Sequence, residues 1–344
     1  MIRCEDWRSA DAETIAALFR VERERWRDDL HWDADRSMKL LEQGRSSGRA
    51  CGWLARNDED EVVGWTFYLL HNRILQIGGL HAETGEVTRT LLDAILHSAE
   101  AELATQLLCY TYPSSAALES ALTRRRFDIC RYLYLTKPLT GASAPEPAAF
   151  LPVPSDFLDE TPLDTTPPDT TPLRSGLRIA HWREEDGVAT VRVMSRAFAG
   201  VPSARCFAPR GQLDEWAHYL AQVVTMSMCG PFLREASLTA WDGGMLRAAA
   251  LLTSVDPSTA HVAQIVVDPD AQRRGVARDL LGTACAIARA RGFERVTLLV
   301  AENNARARTL YQTLGFTGGE HFVYASRPAV TRMRGQVRRP VGVA

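Results

Sequence analysis

Residues 272–277 are a short basic segment of the kind that can hold a phosphate group. Their sequence is Gln-Arg-Arg-Gly-Val-Ala, and they separate a strand-like run at 261–267 from an amphipathic helical stretch. In such a loop, successive backbone N–H groups and the positive end of the helix point at one anion. Gly275 lets the backbone approach closely, and Arg273 and Arg274 add charge-assisted contacts. We therefore predict a phosphate cradle, with an ordinary solvated loop as the alternative.

A second polar group follows the next predicted strand. The run at 295–300 (Arg-Val-Thr-Leu-Leu-Val) predicts a buried strand, and Asn304, Ala307 and Tyr311 follow on a short helix that ends at Gly315. An asparagine at a helix start commonly caps it. For a lone tyrosine on a short helix, a core aromatic is the default interpretation.

The order of these motifs resembles that of the GNAT superfamily of acyl-CoA N-acyltransferases. The resemblance rests on IVVDPDAQRRGVA at 265–277, then a helix, a strand, and NNARARTLYQTLGF at 303–316. It extends with falling specificity over roughly residues 177–326. It implies an α/β (α+β) fold with a mixed, centrally splayed sheet flanked by helices. It also implies acetyl-CoA as a cosubstrate in the gap between the parted strands.

The resemblance implies a role for each matching residue. A free strand edge would pair with pantetheine, the basic loop would cradle the pyrophosphate, and Asn304 and Ala307 would contact the cofactor. The backbone N–H of Val267 would stabilise the oxyanion, and Tyr311 would protonate the departing thiolate. The edge residues are Ile265, Val266 and Val267, and the loop residues are Gln272, Arg273, Arg274, Gly275, Val276 and Ala277.

The strand before the loop lacks the carboxylate that many family members carry there as a general base. Gln264 takes the polar position, and an amide cannot accept a proton at neutral pH. His261 has a suitable intrinsic pKa, although a histidine at the start of a strand is more often structural. No base is assigned, so deprotonation through water and capture of an already neutral amine are both open.

The two halves of the chain look like copies of one fold. Each half begins with a tryptophan and acidic residues ahead of a helix, at 6–19 and 181–198. Each half ends with a short helix that runs into a phenylalanine, Phe127 or Phe316. Two unrelated α/β domains built by the same packing rules are the alternative.

Aligning the halves on those phenylalanines shows what the first half lacks. Ser115 and Leu122 then stand opposite Asn304 and Tyr311, and the loop at 81–87 contains no arginine. The first half therefore keeps the pattern of the fold without the residues needed for phosphate binding and proton delivery. We predict a degenerate, structural first copy and one working site in the second.

Four segments are predicted along the 344 residues. Residues 1–139 are a degenerate GNAT-like domain, and residues 176–328 are the catalytic GNAT domain. Residues 140–175 are a proline- and threonine-rich linker, and residues 329–344 are a basic disordered tail.

Composition limits the function classes. The formal net charge is −2, which gives no bulk attraction to nucleic acid, and no apolar run is long enough for a membrane span. The seven cysteines form no CxxC pair and the eight histidines have no ligand spacing, so we expect reduced thiols and no metal. Because the first residues lack a secretory signal core, a cytoplasmic protein is expected.

The predicted function is an N-acetyltransferase. It would move an acetyl group from acetyl-CoA to a primary amine, expected to be that of a small molecule, by direct transfer with Tyr311 as general acid. The alternative is a non-catalytic acyl-CoA-binding sensor or regulatory protein. Two fused copies can replace the dimer of single-domain members, so a monomer or a homodimer is expected.

Overall fold

The computed structural model describes residues 2–139, 171–172, 176–227 and 229–329. The chain divides into two units that each combine segments from both halves of the sequence. Unit 1 contains Met1–Val21, Asp35–Arg131 and His321–Ala344, and unit 2 contains Glu22–Ala34 and Tyr132–Glu320. The predicted linker lies outside the described residues except at 171–172, and so does the predicted tail beyond Ala329.

Unit 1 is a mixed sheet with helices. Its strands are β1 (Arg3–Asp6), β2 (Cys51–Arg56), β3 (Val62–His71), β4 (Ile74–Ala82), β5 (Gln106–Thr111) and β13 (Thr317–Pro328). They lie in the order β1-β2-β3-β4-β5-β13, with β4 and β5 parallel. The helices are α1 (Ala12–Leu30, which continues into unit 2 from Glu22), α2 (Asp35–Ser46), α3 (Gly85–Leu96), α4 (Ala99–Leu103) and α5 (Ala116–Arg124).

Unit 2 has the same kind of sheet. Its strands are β6 (Asp128–Pro138), β7 (Thr171–Pro172), β8 (Arg178–His181), β9 (Leu238–Asp242), β10 (Met245–Asp256), β11 (Thr259–Val267) and β12 (Arg295–Ala301). They lie in the order β6-β12-β11-β10-β9-β8-β7, with β11 and β12 parallel. The helices are α6 (Gly187–Ala197), α7 (Leu213–Val224), α8 (Val276–Ala290) and α9 (Ala305–Thr313). Within the described part of the chain, no helix combines the length and apolarity that crossing a membrane requires.

Helices cover both faces of the unit 2 sheet. One apolar cluster joins α8 and α9 to the sheet through residues such as Leu280, Leu281 and Tyr311. A second cluster joins α6 and α7 to the opposite face through residues such as Met194 and Trp216. Strand β11 contributes to both clusters, because successive side chains on a strand point to opposite faces.

The last strand of each half pairs in the unit built mainly from the other half. Residues 132–138 of β6 pair antiparallel with 295–301 of β12, and residues 323–328 of β13 pair antiparallel with 106–111 of β5. The predicted boundaries treated each half as one continuous domain, and the structure differs from them here. Hydrogen bonding between strands far apart in sequence decides where these segments belong.

The sheet parts at its centre in both units, as the fold prediction requires. Parallel pairing of β11 with β12 runs only over 259–262 and 295–298, although β11 continues to Val267 and β12 to Ala301. In unit 1 the pairing of β4 with β5 stops at Ile77, while β4 continues for five residues to its end. The predicted mixed, centrally splayed sheet is therefore confirmed.

The internal repeat predicted from the sequence is visible in the helix starts. Ser115 caps α5 and Asn304 caps α9, and each of these helices has nine residues. Trp7 and Trp182, which open the two halves, are both fully buried. The alignment of Ser115 with Asn304 is confirmed.

Candidate functional site

The helix α8 begins in the basic loop without a side-chain cap. Gly275 is the N-cap residue with φ of 83°, and no side chain caps the helix. Arg273 also has a positive φ, 63°, so left-handed residues occur at two positions of the loop. The Asp279 N–H bonds to the Gly275 carbonyl at 3.1 Å, so the N–H groups before it have no partner in the helix. This conformation suits an anion.

The corresponding helix of unit 1 supplies its own cap. The Thr84 side chain accepts a hydrogen bond from the Val87 N–H at 3.3 Å, and Glu86 adds a negative charge in the first turn. Aligning the halves places Glu86 opposite Gly275, whereas the structure gives the N-cap position to Thr84, two residues earlier. The cap uses up a backbone donor, and the Glu86 carboxylate repels a phosphate group. Both features favour unit 2 as the binding unit.

A buried carboxylate that pairs with two arginines fixes the turn that leads into the loop. Asp268 is buried and accepts a hydrogen bond from the Asp270 N–H at 3.0 Å, so it caps the turn at Pro269–Ala271. Its carboxylate lies 3.2 Å from Arg196 and 3.6 Å from Arg247. Sequence reasoning missed both arginines, because they lie on α6 and β10 and no local pattern links them to the loop.

Replacing Asp268 with asparagine should destabilise unit 2. The amide keeps the shape and the capping oxygen but removes the buried negative charge beside Arg247, whose side chain is 16% exposed, so the free energy of unfolding should fall by about 2 kcal/mol. Urea denaturation would measure this loss. Asp270→Asn is the matched control: its side chain is 66% exposed, so we expect a change below about 1 kcal/mol. Equal losses in the two variants would contradict the assignment.

The end of β11 offers an open backbone edge. The Asp268 N–H donates to the Arg247 carbonyl on β10 at 2.7 Å. Because backbone groups alternate along an antiparallel pair, the N–H and C=O groups of Val267 and Ile265 point away from β10. They face the side where β12 no longer pairs. This edge can accept an added strand-like ligand, whereas Val266 directs its backbone toward β10.

Two glutamine side chains cover part of this edge. Gln264 Oε1 accepts a hydrogen bond from the Ile265 N–H at 3.0 Å, and Gln272 Nε2 donates to the Val267 carbonyl at 3.2 Å. Gln272 Oε1 also accepts from Arg306 on α9 at 2.9 Å. Gln272 thus connects the basic loop to the strand and to α9, a contact that the sequence pattern did not reveal.

Asn304 lies at the start of α9, and Ala307 and Tyr311 lie on the side of the helix that faces the core. Asn304 Oδ1 accepts a hydrogen bond from the Ala307 N–H at 3.1 Å, so that N–H is already satisfied. Ala307 is partly buried and packs against the apolar cluster that joins α8 and α9 to the sheet. The side-chain nitrogen of Asn304 is left as its donor group for a ligand.

Tyr311 combines burial with a proton available for donation. The residue is 6% exposed, its ring contacts Phe316 edge-on at 5.9 Å, and burial raises the pKa of its hydroxyl to about 12. The hydroxyl therefore stays protonated at neutral pH. Val276 lies in the same apolar cluster with its side chain buried, so only its backbone can face a ligand.

His261 is a structural residue. Its Nδ1 lies 2.9 Å from Thr297 Oγ1, and its ring packs between Trp32 at 5.2 Å and Tyr134 at 6.0 Å. Burial lowers the pKa of this imidazole to about 3. It is neutral and weakly basic at physiological pH, and Gln264 on the same strand is an amide. Neither polar side chain can serve as a strong base there.

The burial of His261 makes unit 2 sensitive to acid. The pKa of this imidazole is about 3 when folded and about 6.5 when exposed, so the unfolded state binds the proton first. The contribution of neutral His261 to the free energy of unfolding is fully present above pH 6.5, and it falls by about 1.4 kcal/mol per pH unit as the pH drops toward 3. His261→Gln should flatten urea-derived stability between pH 6.5 and 4.5, whereas exposed His181→Gln should not. Parallel wild-type and His261→Gln curves would refute this.

Aromatic side chains fill the equivalent face of unit 1. The ring of Phe67 lies over Gly78 and Gly79, where a Cβ on Gly79 would come within 2.9 Å of it. Phe67 also stacks on Trp7 and Trp65, with ring centroids 6.1 and 6.2 Å apart. These contacts occur where β4 leaves β5, and they support a structural role for this unit.

Comparison with protein families agrees with the geometry of unit 2. The description of the matching family is "Acetyltransferase (GNAT) family", and the match covers residues 205–316. Residues 205–316 are a GNAT-family domain. The match includes the open edge of β11, the basic loop and the whole of α9.

Two curated relatives match shorter stretches of the chain. A mycothiol acetyltransferase of Beutenbergia cavernae is 46% identical over 74 residues, which is 22% of this chain and 25% of that protein. A mycothiol acetyltransferase of Geodermatophilus obscurus is 30% identical over 154 residues, 42% of this chain and 46% of that protein. The chain thus spans less than half of the length of either relative.

Solved structures share the fold over nearly the whole chain. A GCN5-related N-acetyltransferase from Sphaerobacter thermophilus has a TM-score of 0.59 and 16% identity, covering 95% of this chain and 96% of that one. A tandem GNAT protein from the clavulanic acid biosynthesis pathway has a TM-score of 0.55 and 15% identity, covering 96% and 99%. The GNAT fold therefore occurs in tandem here, and these likenesses concern the fold alone.

Proposed function

We propose that unit 2 is an N-acetyltransferase that moves an acetyl group from acetyl-CoA to the primary amine of a small molecule. The observation that carries this proposal is the pairing of an open strand edge with an uncapped helix start. Ile265 and Val267 expose backbone groups at the end of β11, and Gly275 opens α8 just beyond them. An extended amide-bearing chain that ends in a pyrophosphate matches both features.

The binding residues follow from that arrangement. The Ile265 carbonyl and the backbone groups of Val267 would pair with the amides of pantetheine, once the Gln272 side chain yields the Val267 carbonyl. The Ile265 N–H stays bonded to Gln264 Oε1. The N–H groups from Arg273 to Ala277 would hold the pyrophosphate, with Arg273 and Arg274 adding positive charge. The Gln272 N–H already donates to the Pro269 carbonyl at 3.4 Å. Asn304 would contribute its side-chain nitrogen and Ala307 its methyl group.

Tyr311 is the proposed general acid of the transfer. The amine nitrogen forms a bond to the thioester carbonyl carbon, and the carbon–sulfur bond breaks. The Tyr311 hydroxyl gives its proton to the departing sulfur, which leaves as a thiol. The proton that the amine loses passes to solvent, from which the tyrosine is protonated again. The raised pKa keeps the donor protonated before each turnover.

A small-molecule acceptor is supported by the relatives, two of which are named mycothiol acetyltransferases. Charged side chains of the α7 region give no clear anion or cation site. Arg210 pairs with Glu215 at 2.8 Å and lies 4.0 Å from Asp214. These charges offset one another at the surface, so they explain no preference for a charged acceptor.

A non-catalytic acyl-CoA sensor is the second candidate, because Gln264 and His261 provide no strong base on β11. Release of free CoA from acetyl-CoA, measured across a panel of small primary amines, separates the two functions. The transferase releases CoA with at least one amine, and mass spectrometry then detects the acetylated product. Tight acetyl-CoA binding with no release on any amine would favour the sensor.

A further inference from the structure

The side-chain nitrogen of Gln264 is a buried donor without an acceptor in the described part of the protein. Gln264 is 8% exposed, and its Nε2 atom is shielded from solvent with no hydrogen-bond partner. Its Oε1 is engaged by the Ile265 N–H at 3.0 Å, which fixes the orientation of the amide. Burying an amide N–H without a partner is unfavourable, so a ligand oxygen at this position would restore what is missing.

The donor lies where β11 leaves β12. Their pairing ends at Val262, and the register of β11 against β10 shifts between Val262 and Gln264. The bulged residue Ala263 has its carbonyl held by the Tyr219 hydroxyl at 2.8 Å. Such a bulge re-aims the next side chain. Gln264 therefore lies where the open edge of β11 begins. Its side chain is on the same face of the sheet as Val266 and the apolar cluster that joins α6 and α7 to the sheet.

The chemistry of the group limits what it can recognise. An amide nitrogen donates hydrogen bonds and cannot accept a proton, so its partner must carry an oxygen lone pair. We propose that Gln264 is a substrate-contacting specificity residue whose Nε2 donates a hydrogen bond to a substrate oxygen at the open edge. This inference rests on the proposed function, in which the acyl thioester and its acceptor bring oxygen atoms to the open edge. The oxygen belongs either to the acyl carbonyl or to the acceptor.

Gln264→Met tests the proposal, because it keeps the side-chain volume and removes the donor. If the oxygen is the acyl carbonyl, calorimetry should show acetyl-CoA affinity falling roughly tenfold relative to CoA, which lacks the acyl group. If the oxygen belongs to the acceptor, both affinities stay near wild type. The KM of an amino alcohol should then rise roughly tenfold relative to an alkylamine of equal length.

The control variant is Gln76→Met, which makes the same change at an exposed position of β4 in unit 1 and should alter none of these ratios. A purely structural role for Gln264, as a cap for the Ile265 N–H, predicts equal changes for acetyl-CoA and CoA and equal changes for both amines. That pattern would overturn the inference, even if the melting temperature falls. Failure of the proposed function is a separate result, since wild-type protein would then neither bind acetyl-CoA nor acetylate any amine.

Discussion

Tyr311→Phe should lower kcat for amine acetylation by about 100-fold and leave the Kd of acetyl-CoA almost unchanged. Positioned general acids contribute roughly 10²–10⁴-fold to rate, and phenylalanine keeps the buried ring against Phe316. Only the proton donor is lost, so the effect should fall on the chemical step. Steady-state kinetics with a saturating amine, together with calorimetric titration of acetyl-CoA, would separate the two quantities.

Unit 1 contains a matched control for this substitution. Tyr68 is also buried, and burial raises the pKa of its hydroxyl to about 12, as for Tyr311. Its hydroxyl lies 3.4 Å from Glu100, in a unit without the basic loop. Tyr68→Phe should leave kcat within about twofold of wild type. Equal activity of wild type and Tyr311→Phe would remove Tyr311 from the mechanism, and the sensor would gain support.

Gly275→Ala should weaken CoA binding on the order of 10- to 100-fold. A non-glycine residue at φ of 83° is strained by about 1–2 kcal/mol, and relief of that strain moves the N–H groups that would hold the pyrophosphate. Hydrogen bonds to a charged group contribute about 1.5–3 kcal/mol each, so misplacing one of them produces this range. Calorimetric titration with CoA, and with pantetheine as a ligand that lacks the pyrophosphate, would measure it.

Gly211→Ala isolates the effect of strain from the effect on the site. Gly211 has φ of 71°, and a Cβ there meets no atom within 4 Å, as at Gly275. Both variants should lose similar stability, whereas only Gly275→Ala should lose CoA affinity, and its pantetheine affinity should stay close to wild type. If the two glycine variants bind CoA equally well, the loop at 272–277 is not the phosphate cradle.

Local patterns in the sequence were sufficient to predict the elements of the second half. The strand predicted at 261–267, which extends over 259–267 in the structure, the helix from Val276 and the helix capped by Asn304 all follow from apolar periodicity and from the residues that start and stop helices. The proposed phosphate site follows from the sequence for the same reason. Its groups are backbone N–H donors within one loop, and Gly275 marks the conformation that exposes them.

Interactions between distant segments could not be predicted in this way. The arginines that pair with the buried Asp268, the Tyr219 hydroxyl on Ala263 and the bridge from Gln272 to Arg306 each join two elements. A one-dimensional pattern records which residues are polar but not which of them meet. The unpartnered amide of Gln264 is of the same kind, since its lack of an acceptor depends on every neighbour at once.

The sequence by itself determined that the chain holds two copies of one fold and that the second copy carries the basic loop, because both conclusions depend on residue types at fixed spacing. The tertiary structure alone decided which unit receives the final strand of each half. Residues 132–138 pair with β12 and residues 323–328 with β5. Backbone hydrogen bonds make these pairings, and every residue except proline offers the same backbone donor and acceptor.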